Sequence, residues 1–138
     1  MAHTGCHTFD LEFAVRDYEC DLQGIVNHAT YLNYLEHTRH RFLHSLGLDF
    51  ADLHSRGHSL VVTRLEVDYL ASLRSGDRFV VHSEMTRASR LRFAFNHHIE
   101  RLGDGADILR ARVIGTSVSR GGRPGLPPEI AVLFGADA

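Results

Sequence analysis

Apolar and polar positions alternate with a period of two near the start of the chain, and the same alternation returns four times in its second half. The first run has apolar side chains at Phe9, Leu11, Phe13 and Val15. The later runs cover residues 60–70, 79–86, 91–96 and 108–118. This spacing predicts strands with one buried face. The turn sequences at residues 74–77 and 103–105 are short, so we expect antiparallel strand neighbours.

Between the first strand and the others, the spacing of apolar residues becomes helical. The residues that carry this spacing are Tyr31, Leu35, Phe42 and Leu46. Asn27 stands where an N-cap is expected, and Gly47 stands where the helix would end. Leu32 and Leu43 widen the apolar arc, which indicates a helix covered on more than one side. A short helical turn is expected within residues 48–56, and the glycine- and proline-rich residues 120–128 should end regular structure.

The order of elements is one strand, one long helix and four more strands. A single helix with a wide apolar arc is expected to bury that arc against the sheet, which makes the fold class α+β. We therefore predict one domain over residues 1–138, with loose ends at residues 1–8 and 129–138. A five-stranded antiparallel sheet leaves unpaired edges, and a symmetric pairing of like edges would cover them. The chain is thus expected to form a homodimer or homotetramer.

Composition narrows the class of protein. A chain of 138 residues with 43% hydrophobic residues can bury a core as one domain. Its net charge of −2 predicts no general attraction to nucleic acid or to a membrane surface. Two cysteines are too few for a disulfide framework, and no apolar run approaches the length of a membrane span. The N-terminus also lacks the pattern of a signal peptide, so a cytoplasmic location is expected.

The polar stretch before the helix carries the candidate chemistry. Asp21 is a lone acid a few residues ahead of the helix start, and Gly24 allows a tight turn between the two. A helix N-terminus offers unpaired N–H groups and a partial positive charge. Those groups can hold the oxygen of a polarised carbonyl while a carboxylate drives attack on its carbon. From these residues alone, Asp21 can equally be a solvated loop carboxylate.

The same stretch resembles a known enzyme family. The motif has Tyr18, Asp21 and Gly24 at three-residue spacing, followed by Ile-Val-Asn-His at residues 25–28 and by Tyr31, Leu32, Leu35 and Glu36. It is similar to the acyl-CoA thioesterases of the 4-hydroxybenzoyl-CoA thioesterase type, which have the hotdog fold. A weaker similarity extends over residues 9–130. The resemblance implies one long central helix wrapped by a five-stranded antiparallel sheet.

The resemblance also implies roles for residues in the motif. Asp21 would be the nucleophile or general base on the thioester. Gly24, Asn27 and His28 would form the helix start, with the backbone N–H of His28 in the oxyanion hole. The His28 side chain would orient Asp21, bind water or only pack. Tyr18 and Tyr31 would line the acyl pocket. Glu36, two helical turns past His28, is the alternative carboxylate, since another branch of these enzymes uses a helical acid.

Three further groups of residues are candidates for binding or catalysis. Arg87, Arg90 and Arg92 cluster near a strand turn and could grip the phosphates of coenzyme A, because guanidinium groups suit phosphates. Cys20 lies close to His28 in the sequence, but we interpret it as an inert thiol. The histidines at positions 37, 40 and 44 share a helix face without the accompanying ligands of a zinc motif. No metal and no cofactor is predicted, with coenzyme A entering only as part of the substrate.

The sequence therefore predicts an acyl-CoA thioesterase that releases a free acid and coenzyme A. One alternative is a thioesterase acting on acyl-carrier-protein substrates. Another is a non-catalytic module that binds acyl-CoA. The Pro- and Gly-flanked histidine motif of fatty-acid dehydratases is not found, which disfavours that class. The acyl group itself is not specified.

Overall fold

The computed structural model describes residues 6–135 of the chain. Five long strands form one antiparallel sheet: β1 (Cys6–Ala14), β2 (His58–Tyr69), β3 (Arg78–Arg87), β4 (Phe93–Arg101) and β5 (Asp107–Ser119). Their order across the sheet is β1-β3-β4-β5-β2, so the first and second strands are the two edges. A two-residue strand, β6 (Pro124–Gly125), pairs with β5 outside this order.

One long helix, α1 (His28–Ser45), packs its buried face against the sheet. Asn27 caps its start by accepting a hydrogen bond from the backbone N–H of Ala29 at 2.9 Å. Gly47 follows the end of the helix with φ of 83°, a conformation that favours glycine. These observations confirm the predicted α+β class and both predicted ends of the long helix.

The prediction of a sheet with a single helix needs three corrections. The short helix α2 (Phe50–Ser55) lies within residues 48–56, where a helical turn is predicted, whereas the short helix α3 (Pro128–Ala131) and the sixth strand, β6, are not predicted. That strand lies within residues 120–128, where the sequence predicts an end to regular structure. The fourth strand in chain order begins at Phe93 rather than at residue 91, because the backbone of residues 88–92 closes a turn with hydrogen bonds between Ala88, Ser89 and Arg92.

The chain ends are more ordered than the sequence indicates. Residues 6–8 extend β1, where Cys6 pairs with Thr86 across the sheet. The imidazole of His7 lies 2.6 Å from the carbonyl oxygen of Leu133, which ties the two ends together. Ile130 and Phe134 are buried in the core, and their apolar packing accounts for the order of residues 129–135. Residues 1–5 and 136–138 lie outside the described residues.

The core forms two apolar clusters along α1. The cluster near the start of the helix contains Tyr31, Leu35, Phe79 and other residues of the adjoining strand ends. The cluster near its end contains Phe42, Phe95, Val113 and residues of the two short helices. Some polar side chains are also buried, among them Thr38, Ser83 and His97.

His97 is the titratable one of these three buried polar side chains. Its Nδ1 lies 2.7 Å from the Ser83 hydroxyl, and its Nε2 lies 3.3 Å from the Arg39 guanidinium. Because a guanidinium only donates, Nε2 accepts and the proton resides on Nδ1. Burial, followed by the nearby charge of Arg39, lowers the pKa of His97 to about 3. The imidazole is therefore neutral in the folded protein at ordinary pH.

This neutral imidazole should make the protein less stable in mild acid. The folded-state pKa of His97 lies below its unfolded value of ~6.5, so the unfolded chain binds the proton first as the pH falls. Stability is unaffected well above pH ~6.5 and should fall by about 2 kcal/mol by pH 5. Chemical unfolding of the wild type and of His97→Gln at pH 7 and pH 5 tests this, since the other histidines contribute equally to both proteins. An equal loss in the two proteins would contradict the prediction.

Candidate active site

A tight hairpin at residues 20–26 carries Asp21 up to the start of α1. Cys20 pairs with Val26 across it, and the N–H of Asp21 donates to the carbonyl oxygen of Ile25 at 2.9 Å. Gly24 closes the turn at φ of 78°, where an L-residue would be strained. Val26 is buried, and its N–H donates to the carbonyl oxygen of Leu73. The hairpin is therefore fixed to the body of the protein at its base.

The side chain of Asp21 is half-buried in this hairpin. Its Oδ1 accepts a hydrogen bond from the backbone N–H of Gln23 at 2.9 Å. The side-chain amide of Gln23, in the orientation that satisfies both of its polar atoms, donates to Oδ2 at 3.1 Å. Gln23 is exposed, so its side chain can exchange this contact for water and swing away from the carboxylate. Asp21 thus presents an oriented carboxylate rather than one extended into bulk water.

The first turn of α1 supplies a free backbone donor. Ala29 donates to the Asn27 side chain, and Thr30 donates to the Asn27 carbonyl oxygen. The N–H of His28 has no acceptor within residues 6–135. It lies at the positive end of an 18-residue helix, where an unpaired N–H favours a negatively charged oxygen. The imidazole of His28 is exposed and makes no hydrogen bond in the same described range, so its predicted role stays a prediction.

Two residues that the sequence analysis does not select also contact this region. The Tyr69 hydroxyl, from edge strand β2, donates to the carbonyl oxygen of His28 at 3.0 Å. Arg74 pairs with Ile25 of the hairpin, and its guanidinium lies 4.0 Å from where a Cβ at Gly24 would stand. The sequence pattern marks Arg74 only as part of a turn. In the structure it places a positive charge beside the hairpin.

The other predicted site residues lie in different surroundings. Tyr18 is 77% exposed, and its hydroxyl accepts a hydrogen bond from Arg16. Tyr31 is buried, and its hydroxyl accepts from the N–H of Leu73 at 3.0 Å. Glu36 is exposed on α1 and lies 4.0 Å from His40. Asp21 and Gly24 share the hairpin at residues 20–26, which Asn27 links directly to His28 at the start of α1, while Glu36 lies two turns further along the helix.

The arginine cluster lies at the opposite end of the sheet from Asp21. Arg87 ends β3, whereas the start of β3 adjoins Val15 through Asp77. Ten strand residues separate the two ends, which corresponds to roughly 30 Å. Arg87 donates to the carbonyl oxygens of Ser89 and Arg90 and so holds the turn, with one buried nitrogen left unpaired. Within one chain, these arginines cannot reach a phosphate near Asp21.

Neither a metal centre nor a membrane-spanning helix is found among the described residues. Across residues 6–135, no three His, Cys, Asp or Glu side chains are arranged to hold a metal ion. No helix in that range is both long and apolar enough to cross a membrane. The prediction that the chain needs no cofactor stays a prediction.

Comparison with known proteins identifies the family. A model of the thioesterase-like superfamily matches residues 15–134. The acyl-acyl carrier protein thioesterase ATL3 of Arabidopsis thaliana chloroplasts is 39% identical over 126 residues, which are 91% of this chain and 66% of that protein. The chain thus spans about two thirds of the length of this curated relative.

Solved structures share the fold. A 1,4-dihydroxy-2-naphthoyl-CoA thioesterase from Synechocystis superposes with a TM-score of 0.88 at 22% identity, covering 96% of this chain and 99% of that one. A 4-hydroxybenzoyl-CoA thioesterase mutant complexed with 4-hydroxybenzoyl-CoA superposes with a TM-score of 0.82 at 17% identity, covering 92% and 98%. These matches confirm the predicted hotdog fold, and the family match confirms the prediction of a thioester hydrolase. The match over residues 15–134 includes the motif from Tyr18 to Glu36, and it shows that the chain belongs to the thioesterase-like superfamily.

Proposed function

We propose that the protein hydrolyses acyl-CoA thioesters to a free acid and coenzyme A. The observation that carries this proposal is the pairing of a half-buried carboxylate, Asp21, with an unpaired helix N-terminal amide, that of His28. The hairpin at residues 20–26 holds the Asp21 carboxylate and leads through Asn27 directly into the helix start that carries the His28 N–H. This is the combination that acyl transfer requires, because one group drives attack and the other stabilises the oxyanion.

The reaction can follow either of two routes from this geometry. As a nucleophile, the Asp21 carboxylate attacks the carbonyl carbon, the C–S bond breaks, and water hydrolyses the resulting anhydride. As a general base, it takes a proton from water, and the hydroxide attacks the same carbon. In both routes the His28 N–H donates to the carbonyl oxygen as negative charge builds up there. The coenzyme A thiolate then leaves and takes up a proton.

We propose that the functional unit is a homodimer or a dimer of dimers. Edge strand β2 and the residue that follows it expose five apolar side chains to between 40% and 53%: Val61, Val62, Leu65, Tyr69 and Leu70. Such an edge favours pairing with a second copy. Antiparallel pairing of two β2 strands would bring the arginine turn of one chain towards the Asp21 end of the other. Arg90 and Arg92, both exposed, would then serve the phosphates of a substrate bound at the partner's site.

A thioester on an acyl carrier protein is the second candidate substrate. The 39% identity to an acyl-acyl carrier protein thioesterase favours it. Both substrates end in the same phosphopantetheine thioester, so the chemistry at Asp21 would be the same. The two substrates differ in what carries the phosphopantetheine: a nucleotide in coenzyme A and a folded protein in the acyl carrier protein.

A side-by-side assay distinguishes these substrates. The full chain is incubated with one acyl group presented on coenzyme A and on a carrier protein, and free thiol release is followed. A panel of aromatic, long-chain and branched acyl groups then defines the preference. We expect turnover of acyl-CoA, with kcat/KM at least equal to that for the carrier. A kcat/KM tenfold higher on the carrier would favour the second candidate, and binding without hydrolysis of either would indicate a non-catalytic module.

A further inference from the structure

A second carboxylate, that of Glu19, lies two residues before Asp21 and carries no distinguishing signal in the sequence. Its side chain is only 13% exposed. Its Oε1 accepts one hydrogen bond from the Tyr34 hydroxyl and one from the backbone N–H of Arg16, both at 2.8 Å. The first contact reaches α1, and the second lies within the segment that precedes the hairpin. Glu19 is therefore engaged as an acceptor, and it also lines a surface cavity together with Phe13, Tyr18 and Tyr34.

Tyr34 provides a rigid partner for this carboxylate. It lies on α1, six residues after His28, and is 5% exposed. Its ring packs against Phe13 and Phe79 at centroid distances of 5.3 Å and 4.8 Å. Burial, followed by the hydrogen bond to Glu19, raises the pKa of Tyr34 well above its usual range. The hydroxyl therefore remains protonated, and a donor, at neutral pH.

Glu19 also contacts the other side of the helix start through its backbone. Its carbonyl oxygen accepts a hydrogen bond from the N–H of Asn27 at 3.3 Å. One residue thus contacts both the N-cap of α1, just before His28, and Tyr34, six residues after it. These two contacts join the segment just before the Asp21 hairpin to the start of α1.

We propose that Glu19 and Tyr34 are positioning residues for thioester hydrolysis, an inference that rests on the proposed role of Asp21. They hold the hairpin in register with α1, so that the Asp21 carboxylate and the His28 N–H act on the same carbonyl group. Reacting groups must approach to within about 3–3.5 Å, and a displacement of about 1 Å can cost on the order of 10² in rate. A hydrogen bond that fixes this approach contributes to kcat more than to substrate binding.

Tyr34→Phe is the first test, because it removes one oxygen and keeps the packed ring. We expect kcat to fall roughly 10- to 100-fold with KM near the wild-type value. Thr38→Val is the matched control, since the Thr38 hydroxyl donates to the Tyr34 carbonyl oxygen one turn further along and is also buried. It should lower stability without a comparable loss of kcat. Equal kcat losses in the two variants, both assayed while folded, would overturn the proposal.

A double-mutant cycle with Asp21→Asn separates positioning from a general structural effect. If Tyr34 acts through Asp21, adding Tyr34→Phe to Asp21→Asn should cause no further loss of kcat. Glu19→Gln, which keeps an acceptor oxygen, should retain most of the activity that Glu19→Ala loses. Independent, multiplicative losses in the cycle would refute the inference while leaving the proposed function intact. An inactive wild type would instead refute the proposed function.

Discussion

Asp21→Asn should lower kcat by roughly 10³-fold while leaving substrate affinity and stability near those of the wild type. The amide has the size of the carboxylate and can still accept a hydrogen bond from the backbone of Gln23, so the hairpin should keep its shape. It is neutral, and it neither attacks a thioester carbon nor removes a proton from water. Steady-state kinetics with an acyl-CoA substrate, together with equilibrium binding of the same ester, would measure both effects.

Glu36→Gln is the matched control for this experiment. Glu36 is the alternative carboxylate, two turns along α1; its side chain is 60% exposed, and its Oε2 lies 4.0 Å from Nε2 of His40. We expect the variant to keep kcat within a few-fold of the wild type, because an exposed surface contact of this kind contributes little. The reverse pattern, with activity lost in Glu36→Gln and retained in Asp21→Asn, would assign catalysis to the helical carboxylate instead.

Gly115→Ala should destabilise the fold by about 2–3 kcal/mol and lower Tm by roughly 10 °C. Gly115 lies in β5 between Phe93 of β4 and Val62 of β2. A Cβ at this position would stand 2.6 Å from Cζ of Phe93 and 2.7 Å from the carbonyl oxygen of Val61. The Phe93 ring is buried and the carbonyl group belongs to the backbone, so neither can move without disturbing the sheet. Thermal unfolding followed by circular dichroism measures the loss.

Gly125→Ala is the control for the added methyl group. Gly125 is also paired with β5, but a Cβ added there would meet no atom within 4 Å beyond its chain neighbours, and its φ is not in the left-handed region. The Tm of the Gly125→Ala variant should stay within about 2 °C of that of the wild type, because the added methyl group meets no steric clash. A Gly115→Ala protein as stable as Gly125→Ala would show that the sheet can open at β2 at little cost.

The fold could be predicted because its signals are local and repeated. In β1, β3, β4 and β5 the period-two runs mark the buried face of each strand, and the helical spacing after residue 28 marks the buried face of α1, whereas most of edge strand β2 is exposed. The roles of Asn27 and Gly47 could be predicted because a helix start needs an acceptor for its free N–H groups and a helix end favours a residue that tolerates positive φ. The strand β6 could not be predicted, because its two residues, Pro124 and Gly125, are too few to show a period-two pattern. They form a strand only by pairing with β5.

The candidate site could be predicted only in part. Asp21, Gly24 and His28 lie within a compact motif, so their proximity follows from sequence distance. Glu19 and Tyr34 are fifteen residues apart and meet only because the hairpin folds back onto α1. Tyr69 and His28 are forty-one residues apart and depend on the position of edge strand β2. Contacts of this kind are set by tertiary packing and leave no periodic trace in the sequence.

The division of the core into two apolar clusters has a consequence for how such a chain can diversify. Residues that surround the Asp21 hairpin belong to the cluster at the start of α1, while Phe42, Phe95 and the short helices anchor the other end. Substitutions at the far ends of the two clusters, such as Val26 and Phe134, should combine nearly additively, unlike those at neighbouring positions such as Ala111 and Val113. If the acyl group binds beside Asp21 as proposed, the first cluster can be reshaped for new acyl groups while the second retains the packing at the other end of the helix.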